Sequence, residues 1–212
     1  MSKEIAAEVA KQLLQIKAIK LSPQNPFTWA SGIQSPIYCD NRVVLSFPES
    51  RKVIVKALAE KSKEFGKFNM IAGVATAGIA HGALLAAELD LPFVYVRAKA
   101  KEHGRQNLIE GQLRGNERVL VVEDLISTGG SSIKAVQALE DNGCQIAGVL
   151  AIFSYGFEKA KKVFEEAECF YDTLSNYDAL LAEAIKINYI NENQLETLKK
   201  WRLEPENWLG VK

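Results

Sequence analysis

The sequence predicts an α/β fold with a central, mostly parallel sheet flanked by helices. Three observations carry this expectation. Short runs that are apolar at almost every position, such as MIAGV (70–74) and VLVV (119–122), suit strands buried on both faces. Amphipathic stretches of helical period separate them, 79–90 and 131–143 among them. With 212 residues and a 48% hydrophobic content, the chain can fill one continuous core, so one domain is expected.

The elements follow in chain order. The N-terminal stretch MSKEIAAEVAKQLLQIKAI places Ile5, Val9, Leu13 and Ile16 on one helical face, with Ser2 as its cap. LSPQNPFTWASGIQSPIYCDNR (21–42) is rich in Pro, Ser, Asn and Gly with aromatic residues interspersed, and predicts an irregular or short-stranded covering segment. Ser46 and Pro48 start a helix that Gly66 ends. Strand 70–74 leads through a glycine-bearing turn into helix 79–90, and strand 93–97 follows. No helix is expected between Arg97 and Arg118. There the chain reads AKAKEHGRQNLIEGQLRGNE, with Lys99, Lys101, His103 and Arg105 crowded around Gly104 and a short strand-like LIEGQL behind them. A connection this long without regular structure is usually functional or disordered. Strand 118–122, the crossing loop EDLISTGG, helix 131–143, strand 146–153, helix 158–168 and a short strand near 169–174 complete the alternation. The tail from Tyr177 reads as helical, with Leu180, Leu181, Ile185, Leu195, Leu198 and Trp201 as packing residues.

Composition narrows the function classes. Lys and Arg together number 26, as do Asp and Glu, so no global field recruits nucleic acid or an anionic membrane. Trp29, Trp201 and Trp208 are therefore expected as packing or dimer-contact residues rather than nucleic-acid platforms. Cys39, Cys144 and Cys169 are far apart and have no metal-ligand spacing, which points to reduced, mostly buried thiols. No segment is long and apolar enough to cross a bilayer, and a cytoplasmic protein is expected.

The chemistry concentrates in RVLVVEDLISTGGSS (118–132). In an open parallel sheet, ligands bind beyond the carboxyl ends of the strands. Thr128, Gly129, Gly130 and Ser131 offer backbone N–H groups and hydroxyls at a helix N-terminus, a ready anion site. The stretch is neither a Walker A loop nor GxGxxG. A capped helix start would account for Ser127–Ser131, but not for Glu123 and Asp124 just before it. Adjacent acids near a buried edge cost stability unless cations or hydroxyls engage them. A phosphorylated sugar would use both features. His81 falls inside an Ala-rich helical pattern, where a packed or capping histidine is expected; His103 lies in a polar loop beside Gly104, where function is the better account.

VLVVEDLISTGGS resembles the phosphoribosyl-diphosphate (PRPP) signature of the type I phosphoribosyltransferases. YVRAKAKEHGRQNLIEG is similar to the catalytic loop of the orotate-specific branch of that family, and SGIQSPIYCDNR resembles its N-terminal base-binding segment. The three motifs span Ser31 to Ser131. The resemblance implies a type I phosphoribosyltransferase fold over residues 1–212, with a small N-terminal hood drawn mainly from residues 1–45 and part of the C-terminal region. It implies a pentosyltransferase that moves the 5-phosphoribosyl group from PRPP to orotate, giving orotidine 5′-monophosphate and pyrophosphate in pyrimidine synthesis. Mg2+ would be the cofactor, held mainly by PRPP without direct protein ligands, and the active form would be a homodimer sharing its catalytic loops.

The same resemblance assigns roles. Glu123 and Asp124 would accept hydrogen bonds from the ribose hydroxyls, and the stretch Leu125, Ile126, Ser127, Thr128, Gly129, Gly130 and Ser131 would hold PRPP, with 128–131 around the 5′-phosphate. Arg97, Lys99, Lys101 and His103 would hold the pyrophosphate, and Arg97, Lys101, His103 and Asp124 would be catalytic. Ser127, Tyr38 and Cys39 would touch orotate, and the turn 73–78 would lie on the pyrophosphate side. The chain departs from some family members in carrying Ala30, Ala77 and Ala98 where they have lysines, and Tyr155 where they have a base-side arginine. Arg42 is a candidate for the orotate carboxylate, because its fork matches a carboxylate; a surface arginine is the alternative. A purine-specific transferase of the same fold and a PRPP-binding regulator of nucleic acid are the competing readings. The Lys-x-His-Gly loop speaks against the first, and the absence of a basic face against the second.

Overall fold

The computed structural model describes residues 3–29, 32–99 and 108–208. Helix α1 (Lys3–Gln15) buries Val9, Ala10, Leu13 and Leu14, as its apolar stripe predicts; its expected cap, Ser2, lies outside the described residues. The segment after it forms two small antiparallel ribbons. Strand β1 (Ile19–Leu21) pairs with β4 (Ile37–Cys39), and β2 (Phe27–Thr28) with β3 (Gln34–Ser35). A 3-10 turn, Asn41–Ser46, follows, capped by the Asp40 carboxylate, which accepts from the Arg42 N–H at 3.1 Å. Helix α2 (Pro48–Ser62) opens on proline, where the missing N–H is no loss. Ser46 does not cap it: Phe47 holds the cap position and offers no side-chain acceptor.

From there the chain alternates strand and helix: β5 (Met70–Val74), α3 (Ala77–Leu89), β6 (Phe93–Val96), β7 (Ile109–Glu110), β8 (Arg118–Ile126), α4 (Gly130–Glu140), β9 (Gln145–Ser154), α5 (Glu158–Glu166) and β10 (Tyr171–Asn176). Helices α6 (Tyr177–Lys186) and α7 (Glu192–Leu203) end the described chain. The sheet order is β10-β9-β8-β5-β6-β7, with five parallel strands and β7 antiparallel at one edge. One apolar layer, under α1, α2 and α6, includes Leu13, Ile54, Leu120, Val122, Leu150 and Trp201; the other, under α4 and α5, includes Val119, Val121, Val136, Leu139 and Phe164. The fold buries the Lys61 ammonium: its side chain is 1% exposed and bonds the carboxylates of Glu64 and Asp172, both at 2.6 Å.

One strand runs longer than its sequence suggests. β8 does not stop at Val122 but continues to Ile126, because β9 offers a partner all the way to Ser154, with Glu123 opposite Ala151 and Ile126 opposite Ser154. The two acids therefore lie within the strand, and only 127–129 form the crossing loop.

Candidate active site

After β5 the sheet grows through β6 on one side, and then β8 returns to the other flank of β5. The winding direction reverses between these two strands, which opens a crevice at their carboxyl ends. Three segments meet there: the turn from β5 into α3, the acid pair with the loop into α4, and the hood segment around Tyr38–Arg42. The first of these includes a cis peptide at Ala75–Thr76.

Alternation along β8 separates the acids. Val121 packs with the α4 layer and Val122 with the opposite one, so Glu123 turns toward α4 and Asp124 toward α3 and the hood. Glu123 is 5% exposed. One of its oxygens accepts from the Asp124 N–H at 3.1 Å, and the other from the hydroxyls of Ser131 at 3.3 Å and Ser132 at 3.4 Å. Burial, reinforced by the neighbouring Asp124 charge, pushes the Glu123 carboxyl up to about 8. Burial also raises Asp124. The pair is thus short of positive charge, a state that a polyol or a cation would relieve.

The loop beside it is built for an anion. Gly129 adopts a left-handed φ of 81°, and a Cβ there would meet the Phe164 ring at 3.0 Å, so only glycine fits. No side chain caps α4, which leaves its first N–H groups open beside the partly exposed Ser127 and Thr128. Beyond Thr128 a cleft of about 650 Å³ opens, bounded by Trp29, Ser127, Thr128, Tyr155, Phe157 and Tyr177. Its floor is aromatic: Trp29 and Tyr155 stack with centroids 5.5 Å apart, Tyr155 and Phe157 at 5.3 Å, and Trp201 meets Tyr155 edge-on at 5.9 Å. Tyr155, where a base-side arginine is carried by some relatives, is buried within this cluster and brings no charge. The cleft's cations have partners: Lys161 bonds Glu158 at 2.5 Å, and Arg202 bonds Asp178 at 2.7 Å.

The hood residues sit close by. The Cys39 thiol, pushed well above its usual range by burial, donates to Asn41 Oδ1 at 3.5 Å. Tyr38 is 39% exposed, its ring 5.7 Å from that of Phe27. Arg42 spends its fork on Asp40, with Nε to Oδ1 at 2.7 Å and Nη2 to Oδ2 at 2.8 Å. Arg97 leaves β6 with its N–H on the Leu108 carbonyl and its guanidinium 3.6 Å from Glu110; Lys99 is exposed just beyond. Lys101, His103, Gly104 and Arg105 lie outside the described residues, as do Ala30 and Ser31. Ala77 begins α3.

One residue of the site escapes sequence reasoning, and another does more than the sequence suggests. Asn41, wholly buried, donates through Nδ2 to the Asp124 carbonyl at 2.7 Å. His81 is packed, as expected, but caps nothing: it lies inside α3 with Nε2 3.2 Å from the Asn41 carbonyl. Asn41 stands in the quoted hood motif, but nothing local marks it as a partner of a strand 83 positions away.

Comparison with known proteins agrees with this geometry. The family model of the phosphoribosyl transferase domain matches residues 43–184. The orotate phosphoribosyltransferase of Listeria monocytogenes is 56% identical over 96% of this chain and 98% of its own. The crystal structure of orotate phosphoribosyltransferase from Aeropyrum pernix superposes with a TM-score of 0.74 at 28% identity, over 86% of this chain and 99% of that one. Leishmania donovani UMP synthase shares the fold at 24% identity with a TM-score of 0.79; the match covers 93% of this chain and 42% of that longer one. The family model over residues 43–184 and relatives alike over nearly the whole chain settle what the acid pair and bare helix entrance suggest: the chain belongs to the phosphoribosyl transferases, among the orotate phosphoribosyltransferases.

Proposed function

We propose that this protein transfers the 5-phosphoribosyl group of PRPP to orotate, giving orotidine 5′-monophosphate and pyrophosphate. The observation that carries this reading is the acid pair of β8 running directly into the uncapped start of α4, at the mouth of an aromatic cleft. Asp124 takes the ribose hydroxyls, and Glu123 joins it by exchanging its long bonds to Ser131 and Ser132 for bonds to the sugar. The N–H groups at 128–131 take the 5′-phosphate. The flat base lies in the cleft near Ser127, with the aromatic cluster against its face and the hood residues Tyr38 and Cys39 at its edge. Arg42 reaches the orotate carboxylate only by giving up Asp40.

As the bond to C1 of the ribose breaks, positive charge grows on the sugar and negative charge on the departing pyrophosphate. Arg97, Lys99, Lys101 and His103 stabilise the leaving group and keep water away from the cation-like ribose. Mg2+ would be held mainly by the oxygens of PRPP itself, because Glu123 and Asp124 are taken up by the ribose hydroxyls. When bound it neutralises the diphosphate. The chain acts as one domain, its hood built from residues 1–45 and part of the C-terminal region; α1 packing on α6 and β10 supports that grouping. Two copies form the active unit, each lending its loop 98–112 to the other's site. Among the described residues no helix is long and apolar enough to cross a membrane, and the cytoplasm is the proposed compartment.

The test is pyrophosphate release from PRPP and Mg2+ with a panel of bases. Orotate should support release and adenine, guanine and hypoxanthine should not; release with a purine alone would sink the base assignment. Mixing the impaired Lys101→Ala and Asp124→Asn subunits tests loop sharing, because a shared site regains activity and separate sites stay as slow as the variants alone.

A further inference from the structure

His81 occupies a position that packing alone does not explain. Helix α3 approaches the sheet closely at two glycines: a Cβ at Gly78 would meet the Val122 carbonyl at 2.5 Å, and one at Gly82 would meet Gly73 Cα at 3.2 Å. This approach carries His81, wholly buried, to the junction between α3, the hood and β8. Its Nε2 faces the Asn41 carbonyl at 3.2 Å; a carbonyl only accepts, so Nε2 carries the proton. Asn41 is itself wholly buried, accepts from the Cys39 thiol, and donates to the main-chain carbonyl of Asp124. A continuous relay therefore runs from α3 through the hood to the strand residue that carries the site's half-buried carboxylate.

The other ring nitrogen shows what this arrangement costs. Nδ1 is buried and has no hydrogen-bond partner among the described residues. A leucine of similar size would fill the space without an unpaired ring nitrogen but would strip the Asn41 carbonyl of its donor, so what the imidazole adds to packing is that one bond.

We propose that His81 is a positioning residue for PRPP: by holding Asn41 it fixes the main chain at Asp124 and the hood segment 39–42, so that the ribose meets a carboxylate already in place. The proposal rests on the reading of this crevice as the PRPP site. It deepens that reading by assigning the work to a residue that touches no substrate.

The test compares wild type with His81→Leu and His81→Gln, measuring PRPP binding with Mg2+ by calorimetry, orotate turnover, and melting of the ligand-free protein. His81→Leu should weaken PRPP about tenfold in both Kd and KM, the worth of one net hydrogen bond, with kcat changed by no more than about threefold. Its melting temperature should stay within a few degrees of wild type, because removing the orphaned Nδ1 offsets losing the bond to the Asn41 carbonyl. His81→Gln, whose amide can donate to the Asn41 carbonyl, should recover most of the affinity. A folded His81→Leu protein that binds PRPP like wild type overturns the proposal. If the leucine variant does not fold, His81→Asn, too short to reach Asn41, takes its place with the same two outcomes. Orotate turnover keeps the two readings apart. A wild type that binds PRPP but ignores orotate refutes the base assignment, whereas turnover with unchanged PRPP affinity in the variants refutes the role of His81 alone.

Discussion

Replacing Glu123 with glutamine locks the side chain in the shape of its protonated form, and the consequence is a stability change that depends on pH. In the folded protein burial raises this carboxyl from an ordinary 4.5 to about 8, so between these values the folded state holds a proton that the unfolded chain has released. The stabilisation is fully present below pH 4.5 and is lost as pH rises through 8. At about 1.4 kcal/mol per pH unit, the wild type should lose roughly 3–5 kcal/mol across that window through this group. Glu123→Gln should not lose it. Ligand-free melts of the two proteins from pH 5 to pH 9 read the effect chiefly through Glu123; Asp124, which shares charge and a hydrogen bond with it, shifts with the substitution, and the remaining titrating groups are common to both. For a chain of this size, the variant's advantage should grow to on the order of 10 °C at the alkaline end. Curves that stay parallel, or a wild type that gains on the variant as pH rises, would refute the reasoning that Glu123 is held neutral by burial.

Other expectations concern separate parts of the molecule. Burial works to raise Glu117, but the N–H groups of Arg114, Glu117, Gly115 and Asn116 outweigh it and hold the carboxyl below its usual range. Its contribution is present above the ordinary carboxylate pKa and lost as pH falls through the depressed one. Glu117→Gln should therefore flatten the acid side of the stability profile and cost about 1–3 kcal/mol at neutral pH, read by urea unfolding. Gly78→Ala sets a methyl against the Val122 carbonyl, which backbone cannot yield to easily; we expect a loss of about 1–3 kcal/mol in the same assay and weaker PRPP binding, and a variant as stable as wild type would contradict the close approach of α3. Lys101→Ala should lower kcat by about 10²–10³-fold while PRPP binding falls far less, by analogy with the loss of one preorganised donor; parent-rate turnover would remove Lys101 from the mechanism.

The sheet was legible because its central strands β5, β8 and β9 are apolar at almost every position and helices of clear period follow them; β6 and β10 appear near the shorter runs beside them. The phosphate loop was legible for the same local reason: glycine and small hydroxyl residues follow a buried strand. Long-range pairing was not. The extension of β8 through Glu123 and Asp124 depends on how far β9 runs beside it, and the link from Asn41 to Asp124 depends on the hood folding onto the sheet. Arg42 illustrates a limit of residue chemistry: a fork suited to a ligand carboxylate is equally suited to Asp40 two positions away. Tyr155 marks a substitution visible in the sequence whose result, an aromatic floor shared with Trp29 and Trp201, needed the packing to be seen.

The central claim is most directly tested by following the ultraviolet absorbance of orotate in the presence of the protein, PRPP and Mg2+. The absorbance should fall, the fall should require all three, and Asp124→Asn should slow it. Orotate left unconsumed at saturating PRPP and Mg2+ would contradict the claim.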